Sequence, residues 1–176
     1  MRRALITCLG LGALALPAAA LAFGTAPGDG SLVVQKGSAP PRVAVVTLSV
    51  NGTVIGHVST GSPDQVDTVV IWDPNNTGDI GGSGANGQSL SKTVSTSDQR
   101  TKLVGSDFRF RAANGVYKVW IYGSGVNLFA VGAGQVTLQG MPKSSGLPDG
   151  QYAINGGDWH SLPGVPSDLL KFGSTG

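Results

Sequence analysis

Five side chains in the second half of the chain combine charge with aromatic surface at strand spacing: Arg109, Arg111, Lys118, Trp120 and Tyr122. Guanidinium and indole groups are planar and stack on flat partners, while arginine and lysine donate hydrogen bonds to anionic oxygens. If Asn114-Gly115 closes a hairpin, residues 108–111 lie antiparallel to Val116–Tyr122 and all five share one face. Such a face suits stacking on sugar rings or holding an acidic polymer. A competing reading carries more weight, because large aromatics in strands are mostly buried. It places Trp120 and Tyr122 in the core and pairs the arginines with Asp107 or Asp98 at the surface. Trp72 and Trp159 are further stacking platforms on the first reading.

Metal and catalytic patterns are thinner. Asp73, Asn75, Thr77 and Asp79 place oxygen ligands at the first, third, fifth and seventh positions of a calcium loop, with Gly78 at the sixth. The twelfth position is Gly84, so the bidentate carboxylate is missing and any calcium is held weakly. A turn needs the same Asp, Pro and Asn residues, and no other cofactor is implied. His57 and His160 are the only histidines; either becomes a base beside Asp158, Asp64 or a serine. No Gly-x-Ser-x-Gly elbow accompanies them. Two histidines without cysteine make a poor zinc set. The aspartates sit mostly beside Gly or Pro, where turns want them rather than a glycosidase cleft. An enzyme is therefore the weaker expectation.

The elements that must position these groups read as strands. All ten acidic residues are Asp, and 28 Gly and 10 Pro accompany them, a composition that favours turns over helices. Leu32–Gln35, Val43–Val50, Val66–Trp72, Phe108–Arg111, Val116–Tyr122, Val126–Val131, Gln135–Gln139 and Tyr152–Ile154 are β-branched or aromatic and largely alternate. Asn51-Gly52 predicts a hairpin that folds Thr53–Val58 back on Val45–Val50. Gly123-Ser124-Gly125 and Gly132-Ala133-Gly134 break the later run. The expected fold is all-β, a single antiparallel sandwich or barrel-like domain; a short β-solenoid is the alternative, from the recurring Gly-x-Gly. The domain is expected over 31–160, with a flexible lead-in at 23–30, a long Gly-rich loop at 75–92 and a flexible tail at 161–176.

Residues 1–22 read as a secretory signal peptide: Arg2 and Arg3, the apolar Ala4–Leu16 run, then Ala20-Leu21-Ala22 as the cleavage pattern. The alternative is an uncleaved N-terminal anchor, since Ala4–Ala22 approaches spanning length. Cleavage leaves 154 residues without the sole cysteine, Cys8, and with equal numbers of acidic and basic groups. No disulfide can form, so packing alone holds the domain. The neutral balance and the lack of a long basic cluster exclude a nucleic-acid binder, and a cleaved chain has no stable membrane insertion.

Asp107–Gly140 (DFRFRAANGVYKVWIYGSGVNLFAVGAGQVTLQG) with Asp149–Trp159 (DGQYAINGGDW) resembles a group of small exported actinobacterial proteins. They share the order signal peptide, glycine-broken strands, Asp-Pro loop and phenylalanine-arginine strand. The likeness covers most of the mature chain and implies an exported all-β domain; no activity attaches to the group. The resulting expectation is a secreted or envelope-associated β-domain with a structural or interaction role. A polysaccharide-binding module using the strand aromatics is the alternative, and a hydrolase the second alternative. The partner is a polysaccharide or envelope component.

Overall fold

A computed structural model describes residues 27–40, 42–76, 79–141 and 149–174. The expected signal peptide, Thr77 of the calcium pattern and part of the lead-in lie outside them. The described residues form eleven strands and no helix: β1 (Gly30–Gly37), β2 (Val46–Ser59), β3 (Asp67–Trp72), β4 (Asp79–Gly84), β5 (Ser91–Ser95), β6 (Arg100–Gly105), β7 (Asp107–Tyr122), β8 (Val126–Leu138), β9 (Gln151–Ile154), β10 (His160–Ser161) and β11 (Leu170–Phe172). No helix among them is long and apolar enough to cross a membrane.

All pairings are antiparallel within one sheet, ordered β10-β9-β1-β8-β2-β7-β3-β6-β5, with β11 on β8 and β4 on β7. The sheet is not closed. A solenoid would need strands stacked in parallel, so that alternative is overturned, whereas the all-β antiparallel fold holds.

Three long strands, β8, β2 and β7, run side by side through the centre and belong to two half-sheets. In the first half, residues 118–122 of β7 carry β3, and residues 134–136 of β8 carry β11. In the second half, residues 108–113 of β7 carry β4, and residues 126–132 of β8 carry β1. Between the halves, Gly115, Gly52 and Gly132 stand in register across the three strands. Gly52 (φ 155°) and Gly132 (φ 137°) take backbone angles that L side chains rarely adopt. Side chains from both halves, including Leu48, Ile71, Tyr117 and Val119 from one and Leu32, Val58, Phe108 and Leu128 from the other, form a single apolar cluster. The sheet therefore folds across this glycine line and packs its inner face upon itself, as a sandwich does.

That line explains the largest departures from the sequence reading. Asn51-Gly52 is no hairpin: β2 continues through it, and Thr53–Val58 pairs with β7 and β8 rather than returning on Val45–Val50. Gly132–Gly134 does not interrupt β8. Asn114-Gly115 is not a turn either. Gly52 faces Gly115 and Val54 faces Ala112, so one residue of β2 opposes two of β7, which is a β-bulge with Asn114 at φ 57°. Asn51-Gly52 is paired with β7 and β8 at once, and the strand through Asn114-Gly115 is held by its ladder with β2, which outweighs the local turn preference of these dipeptides. The expected loop at 75–92 contains β4, and the expected tail contains Ser161 of β10, Leu162 in the core, and β11 with Phe172 only 1 % exposed.

The bulge is closed from inside. The buried Tyr117 hydroxyl donates to the carbonyl of Ala113 at 2.7 Å, and burial pushes its phenol pKa upward. Tyr117→Phe leaves that carbonyl without its donor in an apolar site. A loss of about 1–2 kcal/mol is expected, read as a drop of about 2–4 °C per kcal/mol in a thermal melt. An unchanged melting temperature would contradict this role for the hydroxyl.

Candidate functional site

The bulge decides where the five charged and aromatic residues of β7 point. Before it, Phe108, Phe110 and Ala112 face inward; after it, Gly115, Tyr117, Val119 and Ile121 do. One extra residue inverts the alternation, so Arg109 and Arg111 on one side and Lys118, Trp120 and Tyr122 on the other all face outward. They share a strand and a side of the sheet, but the fold line divides them between the half-sheets. Trp120 and Tyr122 are not core residues, contrary to the preferred sequence reading: Tyr117, Val119 and Ile121 fill that space and leave both rings half-buried on the outside.

Around them the outer face is built from β3 and β2. Lys118 is in register with Trp72 and Ser49, Trp120 with Val70 and Thr47, and Tyr122 with Thr68. The Lys118 ammonium lies 5.1 Å from the centre of the Trp72 ring, a cation–π contact at a half-exposed indole. Trp120 and Tyr122 are two residues apart, about 7 Å along the strand, and Trp72 is diagonal to Trp120 at about 7–8 Å. Trp72, Trp120 and Tyr122 thus follow one another along β7 and onto the adjacent β3. Trp159 is separate, 48 % exposed in the loop before β10 on the opposite flank.

The arginines have other neighbours. Arg111 pairs with Asp79 of β4 at 2.8 Å, rather than with Asp107 or Asp98. Asp98 lies 3.9 Å from Arg100. Asp107 accepts from Asn86 at 2.7 Å and lies 2.6 Å from Nε2 of His57, which stands beside Arg109 in the ladder. The His57 bond, then the Asn86 bond, hold the Asp107 carboxyl below its ordinary pKa. The partner of His57 is therefore neither Asp64 nor Asp158. No serine or threonine hydroxyl bonds to His57 among the described residues; the pair ties β2 to β7 and, through Asn86, to the β4–β5 connection. His160 is four strands away on β10 and packs against Tyr152, with ring centres 5.5 Å apart.

Of the calcium pattern, Asp73, Asn75 and Asp79 are among the described residues. Asp73 is buried, and its Oδ1 accepts from the backbone N–H of Asn75, closing the turn. Asp79 has joined β4 and is held by Arg111. No group of three potential metal ligands among His, Cys, Asp and Glu occurs within the described residues.

Sequence reasoning missed a cleft of about 440 Å³ at the end of the aromatic line, walled by Tyr122, Val43, Val66 and Met141, with Arg42 and Asp67 among its polar groups. Asp67 is 5 % exposed and accepts the backbone N–H of Ser124 at 3.0 Å, which anchors the β7–β8 turn. Burial raises its carboxyl pKa, and the bond from Ser124 offsets this only in part. The ionised form is thus the costly one in the fold. Asp67 contributes most favourably below the ordinary carboxylate pKa of ~4 and loses that contribution as pH rises through its raised folded value. Asp67→Asn keeps an acceptor for Ser124 and is expected to be more stable than wild type at neutral pH, with the advantage shrinking on acidification. Urea unfolding at neutral and acid pH checks this; an advantage that grows in acid contradicts it.

No family model, curated protein or solved structure matches this chain.

Proposed function

We propose that this chain is an exported, non-enzymatic β-domain that binds polysaccharide of the envelope or extracellular space through the outer face of its first half-sheet. The reading rests on one observation: Trp72, Trp120 and Tyr122 stand in line on the outside of a sheet whose inside is filled by other residues. Rings of this size, kept partly in water at strand positions, add little to the core. Their water-exposed parts offer stacking surface for the apolar faces of successive sugar rings. Lys118, held over Trp72, adds a donor beside the stack. A pleated sheet fixes the spacing of these groups with no loop to order on binding, which lowers the entropic cost of association. The export half of the proposal rests on the pattern of residues 1–22. His57 is bonded to Asp107, and no serine or threonine hydroxyl bonds to it among the described residues, so the second alternative has less support.

The test is retention of the mature domain, residues 23–176, on insoluble glycans and peptidoglycan, compared with Trp120→Ala. Wild type is expected to be retained, and the variant to lose about tenfold or more in affinity, since one stacked ring contributes at least about 1.4 kcal/mol. Equal retention of both, or of neither, would overturn the reading.

A further inference from the structure

The charge on this face is lopsided, although the mature chain as a whole is balanced. Outward positions of the first half-sheet carry Arg100 and Lys102 on β6, Lys118 on β7 and Lys171 on β11, all exposed. The ladder places them around the aromatic line. Arg100 is directly across from Trp72, which is directly across from Lys118; Lys102 is across from Val70, which is across from Trp120. With strands about 4.8 Å apart, Arg100 and Lys102 lie about 10 Å from the β7 side chains they are aligned with, and so flank the line. Arg42 borders the cleft at the Tyr122 end.

No aspartate occupies an outward strand position on this half-sheet. The other outward positions are uncharged, among them Thr47 and Ser49 on β2, Thr68 and Val70 on β3, Thr93 and Ser95 on β5, and Gln135 and Thr137 on β8. Asp64 and Asp98 lie in the turns at its two ends, the latter 3.9 Å from Arg100. The second half-sheet is different: Arg111 is neutralised by Asp79, and Asp107 stands between His57 and Arg109. Cations outnumber carboxylates on this face, and of them only Arg100 has a carboxylate within 4 Å among the described residues; beside rings that stack on sugars, such an excess is complementary to a polymer carrying both sugar rings and negative charge.

We infer that the ligand of the aromatic face is an acidic polysaccharide, one whose sugar rings stack on Trp72, Trp120 and Tyr122 while its carboxylates or sulfates meet Lys118, Lys102 and Arg100. This inference rests on the proposed glycan-binding reading and names its substrate class. Stacking supplies contact that does not depend on charge; the cations select the charged polymer over a neutral one of the same shape. Because the cations are exposed, the selection is screened by salt, the Debye length falling from about 10 Å at 0.1 M to about 3 Å at 1 M.

The test measures binding of the mature domain to polygalacturonate and to its fully methyl-esterified form, which keeps the rings and loses the charge. A single-stranded oligonucleotide serves as a third polyanion. Wild type is expected to bind the acid form at least about tenfold more tightly than the ester at low salt. The ratio should approach one at about 1 M salt and fall at low salt in the variant Arg100→Gln/Lys102→Gln, with folding of that variant confirmed by its thermal melt; an unchanged ratio in the folded variant overturns the role of these cations. Equal binding of acid and ester at low salt overturns the charge inference and leaves the glycan reading standing. Binding of neither form overturns both. Tighter binding of the oligonucleotide than of polygalacturonate overturns the assignment to a polysaccharide.

Discussion

Gly132→Ala is expected to lower the stability of the domain by about 3–5 kcal/mol, enough to leave it marginal or unfolded at physiological temperature. Two costs combine. The backbone at Gly132 has φ 137°, where a side chain strains the chain by about 1–3 kcal/mol. A Cβ there would also overlap the carbonyl oxygen of Asn51 on the neighbouring strand. That carbonyl belongs to β2, which is paired on both sides, so it cannot move without disturbing β7 as well. Gly52 is the mirror case, its Cβ overlapping the carbonyl of Val131. Gly115, third in the line, would bring a Cβ to 2.6 Å from the Tyr117 hydroxyl. Gly81 in β4 is the control, because a Cβ there meets nothing within 4 Å; Gly81→Ala is expected to change stability by less than about 0.5 kcal/mol. Urea unfolding of the two variants separates the cases, and similar midpoints for both would remove the glycine line as the reason the sheet folds.

Phe172→Ala should rank next, with a loss of about 3–5 kcal/mol. Phe172 is 1 % exposed and packs beneath Gly134, where an added Cβ would lie 2.9 Å from its ring. Three residues of β11 hold it on β8, helped by Ser167, whose N–H donates to the carbonyl of Leu138 at 2.8 Å and whose hydroxyl accepts from the Leu138 N–H at 3.0 Å. Removing the ring leaves a void against Gly134 that only detachment of β11 can relieve, so the docking energy of that short strand sets the upper bound. A thermal melt within about 2 °C of wild type, corresponding to less than about 1 kcal/mol, would mean that the C-terminal segment is the free tail its composition implied.

How far the sequence reveals this molecule varies by element. Alternation in Val46–Val50 and in Val116–Tyr122 reports the face of each side chain correctly, because a strand buried on one side has no other way to arrange its apolar residues. The choice of which face of β7 is inside went the wrong way for Trp120 and Tyr122. The deciding signal was present: Lys118 shares their face, whereas Tyr117, Val119 and Ile121 are all apolar. The bulge was legible too. Inward residues fall on even numbers at Phe108, Phe110 and Ala112 and on odd numbers at Tyr117, Val119 and Ile121, a phase slip of one residue without a break. Asn-Gly and Gly-x-Gly misled because local preference for a turn is weak against the central ladders that β2 makes with β7 and β8. β4 left almost no trace, since Asp79–Gly84 pairs through its backbone at an edge and buries little beyond Ile80. The cleft at Asp67 and the His57–Asp107 pair each join residues at least fifty positions apart, and only the register brings them together.

The face carrying Trp72, Trp120 and Tyr122 can be tested atom by atom, because the three tryptophans give three indole N–H signals in a nitrogen–proton correlation spectrum. Titration of residues 23–176 with soluble oligogalacturonate is predicted to shift the Trp72 and Trp120 signals together and to leave Trp159, on the opposite flank, in place. A shift confined to Trp159, or no movement of any indole at saturating oligosaccharide, would contradict the account.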